Sequence, residues 1–232
     1  TTQNKVEGQK PNIIYILADD LGYGDLSFQG QTKFQTPNID QLAKEGMTFT
    51  QHYAGSTVCS PSRSVLLTGQ HTGHTYIRGN RRDGANGNWP ISAESLTVAE
   101  ILKENGYTTG AFGKWGLGYI GSEGDPNKQG FDEFYGYNDQ TLAHNYYPYF
   151  LNHNQEIVTL EGNAGNGKGT YAPIPIHDAA LKFIENNKDK PFFMYYPSVI
   201  PHAELFAPEE YMEKYRGKFL PEKDYKGDDE GT

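Results

Sequence analysis

Cys59 is the only cysteine in the chain, and it stands in the run Val58-Cys59-Ser60-Pro61-Ser62-Arg63. Pro61 suits the first turn of a helix, where its missing N–H costs nothing. Gly69 suits the far end as a C-cap. The spacing therefore places Cys59 just ahead of a short helix, where unpaired N–H groups and the helix dipole favour an anion. Arg63 follows about one turn later, and its guanidinium fork can face the same anion. A nucleophile, an anion-binding helix end and a fixed positive charge thus lie close together. The pentapeptide alone also admits a plainer reading, a small buried cysteine before an ordinary helix. A second cluster is Asp19-Asp20, which ends the apolar run Ile13-Ile14-Tyr15-Ile16-Leu17-Ala18. Adjacent carboxylates are hard oxygen ligands suited to Ca²⁺ or Mg²⁺. Capping of a turn accounts for them equally well.

The elements that must position these groups alternate between strand and helix. Residues 13–18 read as a buried strand of an α/β sheet, and ligands collect beyond the carboxyl ends of such strands. Residues 36–46 read as a helix, with Thr36 as N-cap, Pro37 first and Gly46 as the stop. Residues 47–54 read as a strand leading into the cysteine loop. A helix over 95–105 precedes a strand over 107–113, which delivers Lys114. A helix over 174–187 precedes a strand over 191–197, which leads to His202. Residues 208–214 suggest a short helix, and the Gly/Asn-rich stretch 161–173 a flexible loop. Residues 1–10 read as a frayed leader and 222–232 as a charged tail.

Net charge is −9 over 232 residues, which argues against general nucleic-acid or anionic-membrane binding. An anionic ligand therefore needs a local positive site. Arg78, Arg81 and Arg82 form one basic patch in a Gly/Asn loop, either as substrate contacts or as solvated loop charge. His71 and His74 lack a metal-binding context, because no His-Glu-x-x-His pattern or second cysteine accompanies them. His52 and Asp25 read as structural. The aromatic run around His144 and residues 146–150 offers faces for sugar rings, or packs on the body. A single cysteine excludes an internal disulfide. No apolar run approaches the ~18 residues of a membrane span.

Cys59-Ser60-Pro61-Ser62-Arg63 resembles the Cys-x-Pro-Ser-Arg signature of the type I sulfatases. The resemblance continues through 11–25, Lys114-Trp115-Gly116-Leu117-Gly118 and 129–137, and covers 12–211. It implies an alkaline-phosphatase-like α/β fold with a central, largely parallel mixed sheet flanked by helices, incomplete at its C-terminal side. Residues 11–221 would be part of the catalytic domain. The resemblance also implies that Cys59 becomes formylglycine, whose hydrate is the nucleophile. Asp19, Asp20 and residue 59 would share in binding Ca²⁺, or Mg²⁺. Arg63 and Lys114 would contact the sulfate, and His202 would be the general acid, with an ordinary imidazole pKa suited to that task.

The chain departs from the family at Gly116, where sulfatases usually carry a histidine; His71, His74 or His144 are candidate substitutes. A later Asp-Asn ligand pair, a second lysine and a C-terminal subdomain are also absent. A fragment of a longer protein is therefore the expectation. The implied partners are a sulfated sugar or other sulfate ester, a formylglycine-generating or anaerobic sulfatase-maturing enzyme, and the missing C-terminal part. Periplasmic or secreted location follows from the same resemblance. Two rivals remain open at this point: phosphoester hydrolysis on the same architecture, and a sulfated-glycan-binding pseudoenzyme.

Overall fold

The computed structural model describes residues 10–84, 87–202 and 205–221. Its centre is a six-stranded sheet of β1 (Ile13–Leu17), β2 (Thr108–Lys114), β3 (Glu133–Tyr137), β4 (Phe150–His153), β5 (Glu156–Thr159) and β6 (Phe192–Pro197). The spatial order is β1-β6-β2-β3-β4-β5. The first three pairings are parallel, and β3-β4 and β4-β5 are antiparallel. The expected strand over 191–197 therefore lies inside the sheet, between β2 and the first strand of the chain.

Helices cover both faces. They are α1 (Pro37–Glu45), α2 (Cys59–Thr68), α3 (Val98–Glu104), α4 (Pro173–Asn187) and α5 (Glu209–Met212). Period-two alternation along β6 sends Phe192 and Met194 to one core with Phe112, Ile176 and Phe183. Phe193 and Tyr195 go to a second core with Ala111, Trp115, Phe131 and Phe134. Helix α4 packs over β2 and β6 on the first side, and α3 packs on β2 on the second. Thr97 and Glu100 start α3 as a reciprocal capping box.

Two expectations fail. Residues 47–54 form no strand. Met47 and Phe49 are 79% and 71% exposed, so this apolar run has neither a buried face nor a ladder partner to hold it extended. The stretch 161–173 is not a featureless loop. Glu161–Asn166 form 3₁₀ turns, pinned by buried Asn163, which donates to Pro148 and Thr170 carbonyls and accepts from the Thr170 N–H. The leader and tail expectations, 1–10 and 222–232, lie outside the described residues except for Lys10, whose Nζ donates to the Asn105 carbonyl.

A third expectation holds only in part: the run 13–18 forms a strand, but it is not buried, because β1 lies at the sheet edge. Among the described residues nothing pairs with its outer side, and Ile14 and Ile16 are 47% and 64% exposed on one face. No described helix is long and apolar enough to cross a membrane.

Candidate active site

Three parallel strands end where the chemistry converges. β1 runs into Asp19 and Asp20, β2 ends on Lys114, and the loop after β6 carries His202. Close packing at the ends of these strands requires glycine. Gly113 has φ +135°, and a Cβ there would lie 2.1 Å from the Pro197 carbonyl oxygen of β6. Helix α2 brings in the rest. Val58 is its extended N-cap, and Gly69 ends it in the left-handed region at φ 65°. Cys59 is the first helical residue, one position further in than the sequence suggested, and Pro61 lies in the first turn.

Arg63 and Lys114 are 2% and 0% exposed. Both meet Asp19: Arg63 Nη2 lies 3.1 Å from Oδ1, and Lys114 Nζ lies 2.7 Å from Oδ2. Arg63 Nη1 also donates to the Lys114 carbonyl at 2.6 Å. Lys114 Nζ lies 3.5 Å from Cys59 Sγ. Two buried cations facing one buried carboxylate leave an excess positive charge beside the sulfur. Burial alone would raise the Asp19 pKa, but the charges of Arg63 and Lys114 bring it below the ordinary carboxylate value. Burial likewise pushes the Cys59 thiol up, and a hydrogen bond from His202 with the Lys114 charge reverses this, so its pKa is net lowered. Arg63 Nε has no hydrogen-bond partner among the described residues. An anion or water seated there would relieve that buried N–H.

His202 is 6% exposed. Its Nε2 lies 3.5 Å from Asp20 Oδ2, and its ring stacks on His144 with centroids 4.2 Å apart. Tyr146 Oη donates to the His202 carbonyl at 2.7 Å, fixing the loop. Asp20 is largely exposed and adopts φ 60°. All six residues singled out in the sequence therefore meet at one place, and a cleft of 650 Å³ runs along Asp19, Asp20, Cys59 and Arg63. A larger groove of 710 Å³ lies along Tyr171, Ile174, Tyr196 and Phe206; its lining is mostly apolar, with His177 and Asp178 as its His and carboxylate members, and it holds none of the six residues singled out above.

Of the candidate substitutes for the usual histidine, His144 stacks on His202, whereas His71 and His74 are exposed. His71 Nδ1 accepts from the Gly73 N–H. Gly116 has φ +75°, and a Cβ there would lie 3.1 Å from Gln140 Oε1 and 3.6 Å from Arg63 Cδ. Gln140 and Asn80 were not legible as site neighbours. Ser60 Oγ contacts Gln140 Oε1 at 3.0 Å, and Asn80 Oδ1 accepts from the Ser60 N–H at 3.0 Å. Both contacts span loops, and no local pattern announces them. Asp25 is structural, accepting from the Gly22 N–H at 2.7 Å.

Asp19, Asp20 and residue 59 offer hard oxygen or sulfur donors, but they are too few for a calcium shell of about six to eight oxygens. Asp19 is also held by two cations. Among the described residues no group of three or more His, Cys, Asp or Glu is placed to hold a metal. The donor chemistry suits a divalent cation, and the donor number does not.

The family model described as Sulfatase matches residues 11–226. Human arylsulfatase A is 35% identical over 244 residues, covering 90% of this chain and 45% of that protein. The N-acetylgalactosamine-6-O-sulfatase of Bacteroides thetaiotaomicron is 47% identical over 127 residues, covering 55% of this chain and 24% of that protein. The solved structure of Ps i-CgsB in complex with k-i-k-neocarrahexaose superposes with a TM-score of 0.76 at 34% identity, covering 90% of this chain and 49% of that one. The chain thus spans about half the length, or less, of these relatives.

Proposed function

Because the chain belongs to the sulfatase family, we propose that it is the nucleophile-bearing part of a sulfuric ester hydrolase acting on a sulfated carbohydrate. The observation that carries this reading is the Arg63–Asp19–Lys114 triad against Cys59 Sγ. It supplies positive charge, buried and pre-aimed, at the atom from which a nucleophile would act. The preference for a carbohydrate is supported by relatives named for sulfated sugars and by one solved with an oligosaccharide.

In this reading Cys59 Sγ marks the position of the nucleophilic oxygen, and conversion to formylglycine by a maturation enzyme supplies the hydrate. Arg63 and Lys114 hold the sulfuryl oxygens and stabilise the charge that builds on them. The N-terminus of α2 adds its dipole to the same anion. His202 holds a proton on the leaving-group side and delivers it to the departing sugar oxygen. Asp20 lies close enough to His202 to bias its orientation. A divalent cation, Ca²⁺ or Mg²⁺, would polarise a sulfuryl oxygen when bound. Asp19, Asp20 and residue 59 are the groups of this chain that would contribute to its shell. The unpaired edge of β1, with exposed Ile14 and Ile16, is a surface that the rest of a longer protein would cover. A periplasmic or secreted location fits a glycan substrate.

Initial rates on the sulfate and phosphate monoesters of one alcohol, measured with the full-length protein, test the reading. A preference for sulfate is expected. Faster turnover of phosphate would replace it with phosphoester hydrolysis.

A further inference from the structure

Beside the proposed sulfate site lies a second, basic cleft. It has a volume of 540 Å³ and is lined by Tyr76, Arg78, Asn80, Arg81 and Trp89 among others. None of its lining residues is acidic, on a chain of net charge −9. The three arginines of this loop have different fates. Arg82 is tied to Asp139 at 3.0 Å and to Thr141 Oγ1 at 2.6 Å, so it is structural. The Arg81 guanidinium sits over Trp89, its carbon 3.7 Å from the ring centroid. The Trp89 N–H donates to the Arg81 carbonyl at 2.8 Å and holds that contact. Arg78 spends only Nε, on the Thr75 carbonyl at 3.3 Å. Among the described residues neither Arg78 nor Arg81 has an ion-pair partner.

The cleft is coupled to the nucleophile by one residue. Asn80 lines it and also accepts the N–H of Ser60, the neighbour of Cys59. A group seated between Arg78 and Arg81 therefore lies next to the sulfuryl site, not inside it. Contact with Trp89 restrains the Arg81 guanidinium, which has no ion-pair partner among the described residues and can offer its N–H groups to an oxyanion. Tyr76 is 54% exposed and offers an aromatic face to a pyranose ring.

We propose that this cleft binds the sugar adjacent to the one carrying the scissile sulfate, by a carboxylate or second sulfate that bridges Arg78 and Arg81. The inference rests on the sulfatase reading, and it narrows the substrate to an anionic oligosaccharide. A small aryl sulfate leaves the cleft empty.

The test uses the full-length protein. Binding of a 6-sulfated chondroitin tetrasaccharide is measured by titration calorimetry with Cys59→Ala, alone and combined with Arg78→Gln or Arg81→Ala. Turnover of 4-nitrophenyl sulfate is measured for the two arginine variants with Cys59 intact. Each arginine variant is expected to weaken tetrasaccharide binding by about tenfold, the loss of one charged hydrogen bond, and to leave aryl sulfate turnover within about twofold. Arg78→Gln retains a polar side chain at an exposed position, so it reports on binding if Arg81→Ala disturbs the loop. Tetrasaccharide binding that ignores both substitutions overturns the inference. A parallel fall in aryl sulfate turnover also overturns it, because the arginines would then be serving the sulfuryl site. Arginine-dependent binding by a protein that hydrolyses no sulfate ester would support the cleft while refuting the sulfatase reading.

Discussion

Replacing Asp19 with alanine should destabilise the fold more than any other single change in the site. The carboxylate neutralises two buried cations at once, Arg63 at 3.1 Å and Lys114 at 2.7 Å. Removing one partner of a buried pair costs about 3–5 kcal/mol, because the other charge stays desolvated. Here two charges are stranded, but Arg63 keeps its bond to the Lys114 carbonyl. About 4 kcal/mol at neutral pH is the expected loss. Lys114→Met should cost less, about 2 kcal/mol, because Asp19 then retains Arg63 in a balanced pair. The assay is urea unfolding in EDTA, so that no cation competes for Asp19. The depressed pKa of Asp19 sets the pH dependence. Its contribution is full above the ordinary carboxylate pKa of about 3.9 and is lost as pH falls through the lower folded value. The gap between wild type and Asp19→Ala should therefore narrow in acid. A loss below about 1 kcal/mol, or a larger loss for Lys114→Met, would refute the reasoning.

Three further outcomes are expected. The unconverted Cys59 thiol should react with iodoacetamide with a midpoint below that of an ordinary thiol, measured on an unstructured cysteine peptide, and Lys114→Met should move that midpoint up; a midpoint at or above the peptide's contradicts the electrostatics described. His202→Asn should slow sugar sulfate hydrolysis by about 10²–10⁴. Its effect on 4-nitrophenyl sulfate should be much smaller, since that leaving group needs little protonation, and equal effects would remove His202 from the acid role. Gly113→Ala should cost at least about 3 kcal/mol, seen as a Tm fall of about 6–12 °C, because its Cβ would meet the Pro197 backbone. Gly24→Ala, with nothing within 4 Å of the added carbon, is the control and should change little.

What could be read from the sequence was local. The run 13–18, the helix stop at Gly69 and the strand over 191–197 each carry their signal within a few residues, and all three elements form; the burial expected of the first does not, because an apolar run does not say whether a neighbour covers it. Asp19, Asp20, Cys59, Arg63, Lys114 and His202, each announced by a short motif, lie close together in the structure, and their roles belong to the proposal. Residues 47–54 misled because apolar alternation marks a strand only where a ladder partner and a buried face exist. Asn163 was missed because its organising bonds look like loop composition until Pro148 and Thr170 close around it. Gln140 reaches Ser60 across 80 positions of sequence, and no periodicity reports such a contact. The sorting of the arginines also depended on tertiary partners: Asp139 took Arg82, and Trp89 took Arg81.

The most direct test is sulfate release by the full-length protein, isolated with its maturation enzyme, from a 6-sulfated N-acetylgalactosamine oligosaccharide, compared with its Cys59→Ala variant. The account predicts turnover by the first and, in the variant, a rate lower by at least about 10³. Peptide mass analysis of the active protein should also show the aldehyde at residue 59. Undiminished sulfate release by Cys59→Ala would contradict the central claim that chemistry begins at this residue.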